Sequence, residues 1–167
     1  MLFVDIAKSP ELNAVVLNQF VSALRVGGLM INQDFHIHQN PWVQVSIGPL
    51  LEYFSIYEAR ADNSAAFILE REIPLEALKN AARYDDLSVD EKLIRINQTI
   101  DAFRFEAYSE RYLDLCLVRL LAEGNRFEEA NSKLGAIYSR MSPYYDKKTD
   151  WFWMEWFEQV RDLATTK

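Results

Sequence analysis

The chain has 167 residues, half of them hydrophobic, 13% aromatic and 26% charged, with 18 Lys plus Arg against 25 Asp plus Glu. That length closes one core, the aromatic content excludes a disordered or fibrous chain, and a single Cys excludes a disulfide framework or a multi-Cys zinc site. A net charge of −7 repels phosphate backbones and disfavours nucleic-acid binding.

Asp5 follows a short apolar start, without the basic residues and longer apolar run of a secretory signal. No segment approaches the roughly 20 apolar residues of a bilayer span, so no membrane partner is expected. With an unpaired Cys116, the expected compartment is the cytoplasm.

Val4 and Ile6 alternate with Asp5 and predict a short opening strand. Ser9 then suits an N-cap, Pro10 the first helical position and Glu11 the positive end of the helix dipole. Leu12, Val15, Val16, Phe20, Ala23 and Leu24 recur at helical spacing, and Gly27-Gly28 supplies a left-handed stop. Beyond it the period changes to two. Leu29, Ile31, Phe35 and Ile37 alternate with polar residues, Asn40-Pro41 reads as a turn, and Val43, Val45 and Ile47 alternate again, which predicts a hairpin. Residues 50–60 and 65–73 read as two more strands about a turn at 61–64. Helix is the alternative there, because Leu50, Phe54, Tyr57 and Ala61 also line one side of a helix.

From Pro74 onward the spacing predicts helices. Leu75, Leu78 and Ala82 mark a short one. Ser88 and Glu91 form a capping box for a second, striped by Val89, Leu93, Ile96, Ile100 and Phe103. Ser109-Glu110 opens a third, over about 112–122, apolar nearly all round and therefore central. Phe127, Ala130, Leu134, Ile137, Tyr138 and Met141 stripe a fourth, stopped by Ser142-Pro143. The last runs from about 150 to 163, with Trp153, Trp156, Phe157 and Val160 on its inner arc and Trp151 and Phe152 at its start. The expected fold is α+β: an N-terminal helix and a small antiparallel β-meander over 1–73, packed on a C-terminal helical bundle over 74–167, in one domain. The alternative is all-α.

Gly124, Phe127 and Ala130, followed by Leu134, Gly135 and Tyr138, resemble the helical hairpin of tetratricopeptide repeats over about one repeat. This resemblance implies an adaptor that holds an extended peptide in a groove.

Chemistry-bearing patterns are sparse. Asp34, His36 and His38 alternate, and on a strand they would share one face, as a zinc or iron site requires. They are the weak metal candidates, and the competing expectation is the solvated face of a hairpin. No nucleophile elbow or glycine-rich phosphate loop is present, and Cys116 lies in the most apolar helix, where a small buried hydrophobe is expected. Paired carboxylates at 85–86, 90–91 and 128–129 read as solvated helix ends. No catalytic residue and no cofactor is therefore assigned, and the chain is read as a non-enzyme.

Size, acidity and the lack of catalytic machinery resemble the immunity proteins of bacterial polymorphic toxins, including contact-dependent inhibition systems. That resemblance implies a protein that binds a basic partner, a nuclease toxin domain, and occludes its cleft. The expected contact surface is Asp85, Asp86, Asp90 and Glu91 with Tyr144, Tyr145 and Trp151 as aromatic anchors. A metal-dependent enzyme using Asp34, His36 and His38 is the remaining alternative.

Overall fold

The computed structural model describes residues 1–61, 63–141 and 151–165, with the backbone alone at Tyr108, Met141, Trp151 and Phe152. Strand β1 (Leu2–Val4) leads to α1 (Pro10–Val15). The Ser9 hydroxyl caps α1 by accepting from the Leu12 amide, and Pro10 occupies the first turn. α1 does not stay regular. It widens into a π turn over Val16–Phe20 and tightens to a 3-10 turn over Val21–Ala23. The extra residue per turn rotates the buried face. Asn13, Val16, Leu17 and Val21 are buried, whereas Leu12, Val15 and Phe20 of the expected stripe are exposed.

The sheet is mixed and is ordered β1-β2-β4-β3, where β2 is Leu29–Asn32, β3 is Phe54–Ala61 and β4 is Ser64–Leu69. β1 pairs parallel with β2, and the other pairings are antiparallel. The β3–β4 hairpin falls where two strands were expected. The expected hairpin between 29–37 and 43–47 does not form. Residues Pro41–Ile47 are helix α2, with Pro41 in its first turn, extended by a 3-10 turn over Gly48–Leu50. α2 is enclosed on every side, with Val43, Gln44, Val45, Ser46 and Ile47 all buried. A helix buried all round carries no amphipathic period, so its alternating Val and Ile imitate a strand. A Cβ on Gly48 would lie 2.2 Å from the Arg95 carbonyl, which is how closely this corner meets the helix beneath it.

The helical half is α3 (Leu75–Ala81), a 3-10 turn at Tyr84–Asp86, α4 (Val89–Phe103), α5 (Ala107–Glu123), α6 (Phe127–Met141) and α7 (Trp151–Thr165). The capping box at Ser88 and Glu91 is formed on both sides. α5 begins a turn earlier than expected because Glu106 caps its start, its carboxylate accepting from the Ser109 amide at 2.7 Å. α5 is the central helix, buried from Tyr112 through Ala122 except at Arg119, and it packs against α4, α6 and α7. Asp114 of α5 is buried and meets Lys133 at 3.0 Å and Arg140, both from α6. Trp153, Trp156, Phe157 and Val160 form the inner arc of α7, as the spacing predicts. Phe35, Phe67 and Phe103 join the sheet to the bundle with ring centroids 5.2 to 6.1 Å apart. The α+β class stands, with a mixed sheet in place of the antiparallel meander.

Candidate binding surface

Asp34, His36 and His38 do not share a face. Residues 33–40 form turns, and Asp34 has a φ of 60°. Asp34 pairs with Lys8. His36 is fully buried, its Nε2 2.9 Å from the Ser109 hydroxyl and its Nδ1 3.3 Å from the Asn63 carbonyl. His38 is buried against the Trp156 ring at 5.5 Å, and among the described residues its Nδ1 has no hydrogen-bond partner. Burial pushes both imidazoles down to about 4, so both are neutral in the fold. The solvated hairpin face expected here is corrected, because three side chains aimed at three neighbourhoods replace it. Among the described residues no group of three His, Cys, Asp or Glu is placed to hold a metal ion.

The acidic residues converge instead. A Cβ on Gly124 would lie 2.7 Å from the Val89 side chain, so the turn between α5 and α6 sits directly on the first turn of α4. Asn125, at φ 59°, reverses the chain there. This contact brings Arg126 within 2.6 Å of Asp90, while its Nε and Nη2 donate to both oxygens of Glu129, each at 2.6 Å. The Glu129 bond is the main cause holding the Arg126 guanidinium above its ordinary value, and Arg126 in return holds the Glu129 carboxyl low. The Ser88 hydroxyl does the same for Glu91. These carboxylates therefore keep their charge into mildly acidic solution.

Around this corner stand exposed Asp85, Asp86, Asp90 and Glu91 on the α4 side, and exposed Glu123, Glu128 and Glu129 on the α5–α6 side. Tyr84 anchors the approach. It is buried beside Trp42 and covered by Lys92, whose Nζ lies 4.1 Å from the ring centroid. Burial first, then Glu123, raises its hydroxyl far above the ordinary tyrosine range. Between α4, α5 and α6 runs a groove of about 490 Å³, floored by Leu93, Leu117 and Leu121 and rimmed by Asp90, Arg126 and Glu129. Ile94 on its edge is 61% exposed. A smaller hollow of about 350 Å³ over Asn125–Glu129 adjoins it at Arg126 and Glu129.

Of the expected contact residues, the four acids lie together and Trp151 does not join them. α7 runs antiparallel to α6, since Asn131 donates to the Ala164 carbonyl at 3.2 Å and the Tyr138 and Phe157 rings lie 5.7 Å apart. Trp151 therefore begins at the far end of α6, about 20 Å from Arg126 at 1.5 Å per residue. Tyr144 and Tyr145 lie outside the described residues. Glu123, Arg126, Glu128, Glu129 and Ile94 complete the surface and were not singled out from sequence. Glu128 and Glu129 each read as an ordinary helix-end acid until the fold of the α5–α6 turn sets them beside Asp90. No described helix is long and apolar enough to cross a membrane. No family model, curated protein or solved structure matches the chain.

Proposed function

We propose that the chain binds and neutralises a basic protein partner, a toxin domain of the nuclease kind, through the acidic groove between α4 and α6. The observation that carries this reading is the pairing of an apolar floor with an acidic rim. Leu93, Leu117, Leu121 and exposed Ile94 offer a slot for an apolar side chain, Asp90 and Glu129 stand on its rim, and exposed Asp85, Asp86, Glu91, Glu123 and Glu128 lie close to that rim in sequence. A nuclease cleft is basic because it holds phosphate, and a field of carboxylates steers such a surface in and covers it. Arg126 is already satisfied by Asp90 and Glu129, as Arg83 is by Asp86 and Arg119 by Glu123, so these pairs rigidify the corner and the partner meets Asp85, Glu91 and Glu128 first. Acidity, the absence of a catalytic motif and the resemblance to immunity proteins support the same reading.

The test is capture of a basic protein domain from the native host at physiological salt, followed by association kinetics with that purified domain. Asp85→Lys combined with Asp86→Lys slows association about tenfold and flattens its salt dependence, and Ile94→Asp speeds dissociation. The wild-type chain at equimolar ratio abolishes the captured domain's nuclease activity. Association rates that ignore both substitutions remove this face from the proposal. Weak retention of many unrelated peptides favours the adaptor reading instead.

A further inference from the structure

A second surface is marked by a glycine that the fold does not need. At Gly28, Gly48 and Gly124 a Cβ would come within 2.7 Å of a neighbouring atom, and Gly27 has a φ of +78°. Gly135 is different. It sits in the middle of α6, and a Cβ there would meet none of the described residues within 4 Å. Glycine inside a helix is destabilising relative to alanine, so the monomer bears a cost for which its own packing offers no return. Gly135 borders a groove of about 400 Å³ between α6 and α7, floored by Leu134 and Phe157, edged by Met154, Glu158 and Arg161, and bounded at one end by Tyr138. One turn along the same face, Tyr138 stands 49% exposed over the ring of Phe157.

We propose that this strip is a self-association surface, occupied by the same strip of a second copy lying antiparallel across a twofold axis. Three observations select a second copy. Knob and hollow lie three residues apart on one helix, so a twofold axis between them seats each Tyr138 over the partner's Gly135 and satisfies both at once. The phenol is amphipathic, and the hollow offers it apolar walls with a polar rim at Glu158 and Arg161, where a hydroxyl finds a partner. The strip is also electrically suited to a like-charged copy. On a chain of net charge −7, the exposed residues Asn131, Ser132, Gly135, Ala136, Tyr138 and Ser139 carry no charge, and the Glu158 and Arg161 of the rim pair with each other, so two copies meet there with little repulsion. The acidic corner, by contrast, repels its own kind.

Sedimentation equilibrium of the full chain from the low micromolar to the millimolar range tests this. The expected result is a monomer–dimer equilibrium that Gly135→Arg and Tyr138→Ser each weaken at least about tenfold, with helix content unchanged. Gly135→Ala is expected to raise the melting temperature of the dilute monomer while weakening the dimer. A chain that stays monomeric at millimolar concentration overturns the proposal, as does a dimer indifferent to both substitutions. A fall in monomer melting temperature for Gly135→Ala also overturns it, because the fold would then need the glycine. None of these outcomes depends on the acidic corner, whose failure is read separately from partner kinetics.

Discussion

The two halves of the molecule are held together by different physics. The helical half is dry: α5 is wrapped by apolar side chains of α4, α6 and α7, and its main buried charge, Asp114, is matched by Lys133 and Arg140. The mixed half buries Asn13, Asn32, His36, His38, Gln44 and Ser46. There the fold is specified by directed bonds. Asn13 donates to the Ser46 hydroxyl at 3.0 Å, Trp42 to the Ala7 carbonyl at 2.7 Å and Gln44 to the Phe35 carbonyl. Area stabilises one half without much direction, whereas a buried polar group in the other is costly unless its partner is in place.

That contrast can be broken at three points. The largest effect belongs to the dry half: Trp153→Ala removes a side chain only 1% exposed and costs about 3–5 kcal/mol, read as a shift of the urea midpoint. The next belongs to the mixed half and is driven by pH. His36 and His38 titrate near 4 in the fold against 6.5 unfolded, so the unfolded chain takes up protons first. Their contribution is complete above pH 6.5 and is lost as pH falls toward 4, by at most about 3 kcal/mol for each residue. Denaturation curves across that window should show the loss. His36→Gln and His38→Gln, though less stable at neutral pH, should each flatten the dependence. The smallest effect lies at the seam, where the Thr99 hydroxyl of α4 donates to the Gln44 carbonyl of α2 at 2.8 Å. Thr99→Val keeps the shape and removes that bond, for a loss of about 1 kcal/mol in the same experiment.

The same contrast governs what could be read from the sequence. Amphipathic stripes and caps are local signals, so Ser88 with Glu91, the stripe of α4, the central place of α5 and the inner arc of α7 were legible. In the mixed half the signals are tertiary. α2 is buried on every side and imitates a strand, the π turn in α1 moves its buried face off the expected stripe, and His36 and His38 are core polar residues despite their alternation. Of the proposed binding surface, the grouping of Asp85, Asp86, Asp90 and Glu91 follows from their closeness in sequence. That of Glu123, Glu128 and Glu129 with them does not, since the close contact of Gly124 with Val89 is what joins them. Trp151 failed as a partner of these acids because α7 runs back along α6 and starts at the other end.

Cys116 has so far counted only as a small apolar filler. It is the one cysteine of the chain, has no solvent exposure, and burial raises its thiol well above the ordinary range. A thiol reagent needs both access and the thiolate, and the closed molecule supplies neither. The protein thus contains its own single-site stopwatch. The rate at which Cys116 becomes modifiable measures how often the centre of the bundle opens, without any label having to be built in.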